Sequence, residues 1–173
     1  MINYKEKLAP IKAFVFDFDG VMTDGNVWTF GDGETVRCGN TKDSFAIQYA
    51  VKKGYLVAVI TGAVSMSIDN RMKALGVSQC YTGCGDKIKK YNEFLQENNL
   101  HEEEVLCMGD DIPDYPILQH AGVAACPADA AVEIKEMVDY ISHCPGGHGC
   151  VRDVIEQVLR LHGTWFHQDA VIW

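Results

Sequence analysis

The stretch Ile11-Lys12-Ala13-Phe14-Val15-Phe16-Asp17-Phe18-Asp19-Gly20-Val21-Met22-Thr23-Asp24 decides the fold. Apart from Lys12, Ile11–Phe16 is a short apolar run without polar alternation, the pattern of a strand buried on both faces of a parallel sheet. It ends abruptly in two carboxylates separated by one residue. Positions i and i+2 of an extended chain share a side, so Asp17 and Asp19 are expected to point the same way, close enough to share a metal.

Working outward, apolar runs of the same kind recur at 55–60, 105–108 and 123–126, with weaker ones near 80–82 and 138–141. Helical patterns fall between them at about 43–53, 65–75, 86–97, 113–121 and 130–136. A last helix carries Val151, Val154, Ile155, Val158 and Leu159 at the spacing of one buried stripe. Strand alternating with helix predicts an α/β fold with a doubly wound parallel sheet. With 173 residues, no repeat and no linker, one domain over 1–173 is expected. One segment breaks the alternation. Residues 26–38, centred on Gly31-Asp32-Gly33, read as a β-hairpin, placed where an α/β fold puts its ligand loops, and so as a flap or a subunit contact.

Composition narrows the function. Hydrophobic residues make up 47% and charged residues 23%, which suits an ordinary soluble core. Lys and Arg number 15 against 24 Asp and Glu, a net charge of −9, so nonspecific binding to nucleic acid or an anionic membrane is not expected. A small anionic substrate stays open, because local cations and a metal outweigh net charge. No apolar run approaches the roughly 18 residues of a membrane span, and MINYKEKLAP lacks the apolar segment of a signal peptide, so a cytoplasmic protein is expected. Seven cysteines without a CxxC pair fit reduced thiols better than a disulfide framework or a zinc site.

Sites in open α/β sheets lie beyond the carboxyl ends of the strands. Asp17 and Asp19 follow the first strand and Thr61-Gly62 the second. Lys87 opens the helix after the third, and Gly109-Asp110-Asp111-Ile112-Pro113-Asp114 follows the fourth, with Pro113 suited to a first helical turn. Five carboxylates, a hydroxyl and a lysine thus converge on one sheet edge. So many carboxylates require a cation, and oxygen-only ligands suit Mg²⁺. A metal-held anion with a lysine beside it is the outline of a phosphoryl-transfer site.

These four motifs, in this order over nearly the whole chain, resemble the haloacid dehalogenase superfamily of phosphohydrolases. The resemblance implies Asp17 as nucleophile and Asp19 as the acid and then the base. It implies Mg²⁺ held by Asp17, the Asp19 carbonyl and Asp110, with Asp111 or Asp114 orienting its waters. Thr61, Gly62 and Lys87 would hold the phosphoryl oxygens. No stretch is long enough for the cap domain common in that superfamily, so a macromolecular substrate or closure by another subunit is implied. Asp24-Gly25, the hairpin, residues 40–44 and Gly146–Arg152 resemble the capless, tetrameric branch that hydrolyses 3-deoxy-D-manno-octulosonate 8-phosphate for lipopolysaccharide. That likeness implies a homo-oligomer, most simply a tetramer, closed by a neighbour's hairpin and by the aromatic tail 164–173. Ala63 and His148 stand where the branch commonly has arginines, leaving a sugar carboxylate to Lys42, Arg71 or Arg152. A related branch acting on a nine-carbon sugar 9-phosphate, and a capless phosphatase of protein or nucleic acid, remain alternatives.

Overall fold

A computed structural model describes residues 3–31 and 33–171. The backbone forms a six-stranded sheet of β1 (Ala13–Phe16), β4 (Leu56–Ile60), β5 (Gln79–Tyr81), β6 (Val105–Met108), β7 (Val123–Cys126) and β8 (Tyr140–Ile141) in the order β5-β4-β1-β6-β7-β8. All neighbouring pairs are parallel, with Phe14 opposite both Val57 and Leu106. The chain moves outward from β1 to β5, then crosses back to β6 and runs to the other edge. The crevice of such a sheet opens where that direction reverses, beside β1 and β6.

The strands are apolar throughout because both faces are covered. Phe14, Phe16, Val57, Val59, Leu106, Met108, Val123 and Ala125 point into one core with α2 (Thr41–Lys52), α3 (Met66–Ala74) and α7 (Cys150–Leu161). The alternate residues Ala13, Val15, Ala58, Ile60, Val105, Cys107, Ala124 and Cys126 point into a second core with α4 (Lys87–Asn98), α5 (Tyr115–His120) and α6 (Val132–Lys135). The predicted stripe of α7, Val151, Val154, Ile155, Val158 and Leu159, is fully buried. Each such side chain is worth about 1.5–3 kcal/mol of transfer energy, so α7 is tied firmly to α2 and the sheet.

Several expectations shift at their ends. The 113–121 helix divides into a 3-10 turn, Ile112–Asp114, and the shorter α5, because Pro116 lacks the N–H that one continuous helix would bond to the Ile112 carbonyl. The strand near 138–141 contracts to β8 at the sheet edge. A one-turn helix α1 (Tyr4–Lys7), capped by Asn3, was not anticipated. The hairpin exists but is short: β2 (Trp28–Thr29) pairs antiparallel with β3 (Thr35–Val36), and Thr23 bridges Gly39 at its base. Asp32 of its turn lies outside the described residues.

The tail 164–171 runs back along its own chain, although Phe166 and Val171 stay exposed. Gly163, at φ 68°, follows the helix end, and Trp165 packs edge-on against Phe45 and Tyr49. Lys53 pairs with Asp169 at 2.7 Å. Ile172 and Trp173 lie outside the described residues. No helix among the described residues is long and apolar enough to cross a membrane.

Candidate active site

Four loops meet beyond the carboxyl ends of β1, β4, β5 and β6, and they line a cavity of about 540 Å³. Its wall includes Asp17, Asp19, Thr61, Gly62, Ala63, Lys87, Asp110, Asp111 and Asp114. The loop after β1 turns through Gly20 at φ 85°, where a Cβ would lie 2.1 Å from Asp110 Oδ2. Only glycine permits both that conformation and that approach. Gly146 presses on this loop from the far side, since a Cβ there would sit 1.9 Å from the Gly20 carbonyl oxygen. The turn that carries the first two carboxylates is therefore held between two other segments.

Lys87 is the first residue of α4, directly after the cap Asp86. A cation there opposes the helix dipole, and its reason is two buried carboxylates: Nζ lies 2.9 Å from Asp17 Oδ1 and 2.7 Å from Asp114 Oδ1. Asp114 Oδ2 accepts from the backbone N–H groups of Asp110 and Asp111. Asp114 thereby braces the loop after β6 and the lysine together. Asp111 caps the 3-10 turn through Ile112 N at 2.8 Å.

The charges do not balance among these residues. Burial, reinforced by the charge of Asp114, pushes Asp17 up to about 7 against the pull of Lys87. Burial and then the charges of Asp17, Asp114 and Asp111 push Asp110 up to about 7. On Lys87, burial pulls downward, but Asp17 and Asp114 outweigh it and the net shift is upward. Asp17 Oδ1 is buried without a hydrogen-bond donor among the described residues, since Lys87 Nζ is near but off the bonding direction. Oxygens of Asp17, Asp110 and Asp114 all lie within 4.8 Å of one another. An all-oxygen cluster with excess negative charge and an unsatisfied buried acceptor fits a hard divalent cation such as Mg²⁺.

Asp19 does not join this cluster. Its carboxylate instead meets Arg37 of the hairpin, Nε to Oδ1 at 2.5 Å. The expectation that both aspartates of the first motif point into one metal site thus fails for the second side chain, because the turn at Gly20 begins there and strand alternation ends. Arg37 escaped sequence reasoning; the available signal was a lone cation in a hairpin adjoining an acidic motif. Thr61 is buried, with Oγ1 accepting from Ala63 N at 3.1 Å, so the hydroxyl and the Gly62 segment face the cavity together.

Two of the three expected substrate cations lie elsewhere. Lys42 is exposed on the first turn of α2 and lines no described cavity around the site. Arg152 packs over the rings of Phe45 and Trp165 and pairs with Glu156 at 3.2 Å, so aromatic stacking accounts for a cation in the first turn of α7. Arg71 is nearer: it donates to Ser44 Oγ at 2.7 Å and lines a second cavity of about 620 Å³ beneath the hairpin, with Arg37, Ser65 and Ser67.

The chain is similar to known phosphatases over most of its length. Residues 82–152 match the model of the haloacid dehalogenase-like hydrolases. The 3-deoxy-D-manno-octulosonate 8-phosphate phosphatase KdsC of Salmonella typhi is 31% identical over 157 residues, 91% of this chain and 84% of that protein. The crystal structure of the 3-deoxy-D-manno-octulosonate 8-phosphate phosphatase from Yersinia pestis matches with a TM-score of 0.92 at 30% identity, covering 94% of this chain and 88% of that one. The corresponding phosphatase from Moraxella catarrhalis, solved with a magnesium ion, a phosphate ion and a KDO molecule, matches with a TM-score of 0.88 at 28% identity over 91% of each chain. With its four motifs gathered at one sheet edge and no cap between them, the chain belongs to the 3-deoxy-D-manno-octulosonate 8-phosphate phosphatase family of haloacid dehalogenase-like hydrolases.

Proposed function

We propose that this protein is a Mg²⁺-dependent phosphatase that converts 3-deoxy-D-manno-octulosonate 8-phosphate to the free sugar acid and phosphate, a step toward lipopolysaccharide. The observation that carries it is a buried carboxylate, Asp17, set against Lys87 in a cavity that also receives Asp19. Asp17 attacks phosphorus in line, forming a bond to it as the ester oxygen leaves. Asp19 gives the departing alkoxide a proton, then takes one from the water that cleaves the aspartyl-phosphate. Lys87, Thr61 and the Gly62 segment hold the phosphoryl oxygens, and Asp114 keeps Lys87 in position. Asp17, Asp110 and the Asp19 carbonyl hold the metal, with Asp111 and Asp114 orienting its waters. Bound Mg²⁺ supplies charge that offsets the phosphoryl oxygens and the crowded carboxylates.

Arg71, in the cavity beneath the hairpin, takes the substrate carboxylate. The protein works as a homo-oligomer, a tetramer in this account. Its support is an open site without a cap and a hairpin that exposes Trp28 by 70% and Phe30 by 55%, apolar surface of the kind that partners cover. A cytoplasmic place of action goes with a charged sugar phosphate as substrate. Phosphate release from a panel of sugar phosphates, including the eight-carbon and nine-carbon keto-deoxy acids, tests the assignment. The octulosonate 8-phosphate is expected to give the highest kcat/KM, and preference for the nine-carbon acid or for a phosphoprotein would overturn it.

A further inference from the structure

The hairpin turns one side chain inward. Arg37 follows β3, with Nε 2.5 Å from Asp19 Oδ1 and Nη1 donating to Thr35 Oγ1 at 3.0 Å. Its side chain is 11% exposed, although the hairpin's strands lie largely in solvent. A guanidinium has five N–H donors and no acceptor, so the oxygen it occupies cannot exchange a proton with a leaving alcohol. A charge-assisted pair of this kind is also a strong one. The pair engages Oδ1 of Asp19, and its opening in the reacting complex lets the whole carboxylate turn toward the leaving oxygen, so that Arg37 then needs another anion.

The neighbouring space is suited to supply one. Arg37 lines the 620 Å³ cavity with Arg71, Ser44, Ser65 and Ser67. The two cavities adjoin where Ala63, in the wall of the first, leads into Val64 of the second. A phosphoryl group beside Lys87 thus leaves the alcohol portion of the ester directed past Asp19 toward a lining with two guanidinium groups, the hydroxyls of Ser44, Ser65 and Ser67, and one carboxylate, Glu34, so that the cations are in excess. That set recognises a carboxylate.

We propose that Arg37 is a positioning and specificity residue: it holds Asp19 in the resting protein and passes its ion pair to a carboxylate on the alcohol portion of the entering phosphomonoester. Recognition of that carboxylate then frees Asp19 for proton transfer, and a neutral alcohol does not. This role rests on the octulosonate phosphatase function proposed above and adds a residue and a coupling to it.

The test compares the parent, Arg37→Gln and Arg37→Lys on 3-deoxy-D-manno-octulosonate 8-phosphate and on p-nitrophenyl phosphate, which has no carboxylate and a leaving group that needs little protonation. Arg37→Gln is expected to lose about 10²-fold in kcat/KM on the sugar acid and at least about tenfold less on the aryl phosphate. Arg37→Lys, which keeps the charge, should recover part of the loss. Inhibition by the free octulosonate should weaken about tenfold in Arg37→Gln. Equal losses on both substrates, or no loss on the sugar acid, would overturn the role of Arg37 while leaving the phosphatase assignment intact. A parent inactive on the octulosonate ester would instead overturn the assignment itself.

Discussion

At the scale of residues, the site is a problem in charge balance that Lys87 solves only halfway. One buried ammonium faces Asp17 and Asp114, and Asp110 adds a third carboxylate to the same cluster. Removing the cation leaves buried carboxylates without a partner, which costs about 3–5 kcal/mol. Lys87→Met should therefore lower the urea unfolding free energy of the metal-free protein by about that amount, as well as abolish turnover; unchanged stability would mean that the ion pairs contribute nothing. The raised Asp17 and Asp110 also predict a pH dependence. Each moves from an ordinary value near 3.8 in the unfolded chain to about 7 in the fold. Between those values the folded state binds more protons than the unfolded one, so metal-free stability falls as pH rises from about 4 to about 7. A cation on the same carboxylates competes with the protons. Saturating Mg²⁺ should accordingly raise Tm more at pH 7.5 than at pH 5, by calorimetry, and an equal rise at both would count against these carboxylates as the ligands. Asp17, the lysine and the loop after β6 were all legible as residue types in order at strand ends. The Asp19–Arg37 pair was not, because it depends on how a hairpin folds over a turn and not on any local spacing.

At the scale of elements, the glycine-rich segment 146–149 and α7 are joined to the site by a residue with no catalytic assignment. Asp43, buried in the first turn of α2, accepts from Gly149 N at 3.1 Å and Arg152 N at 2.7 Å, and so caps α7 from another helix. Gly149 itself offers no side-chain cap. The same segment places Gly146 against Gly20. Asp43→Ala should cost about 1–2 kcal/mol, the usual worth of an N-cap, measured by urea unfolding. Because the loop after β1 leans on this segment, kcat should fall too, and full activity at reduced stability would uncouple the two. Sequence patterning could not reveal this contact, since a cap normally comes from the helix's own chain neighbours. What patterning did resolve is the core-facing stripe of α7 and the two-faced strands, where burial imposes a period. It failed at Pro116, which divides one expected helix, and for Arg152, whose place is set by the rings of Phe45 and Trp165.

At the scale of the molecule, two cores clamp one sheet, and all four motifs are directed to the crevice beside β1 and β6. The tail docks on the first core through Trp165, Phe45 and Tyr49, with Asp169 tied to Lys53 and Tyr49. Deleting residues 164–173 should lower Tm by about 3–6 °C, the shift expected of roughly 1–2 kcal/mol in a domain of this size. An unchanged Tm would mean that the tail contributes no stability where it lies. Light scattering on the parent checks the proposed tetramer separately, and a monomer at assay concentration would contradict it. The expectation of a neighbour's tail over the site weakens in the face of this docking, whereas the apolar exposure of Trp28 and Phe30 supports the hairpin as the proposed subunit contact.

In the proposed reaction Asp17, at the end of β1, carries the phosphoryl group of an octulosonate ester. Phosphate release from 3-deoxy-D-manno-octulosonate 8-phosphate in Mg²⁺, measured side by side for the parent and Asp17→Asn, tests it most directly. The substitution is nearly isosteric and removes a buried charge, so the fold should persist. Steady release by the parent is expected, abolished by excess chelator and restored by Mg²⁺, with a loss of at least about 10³-fold in Asp17→Asn. Asp17→Asn turnover within tenfold of the parent, or undiminished release in excess chelator, would contradict it.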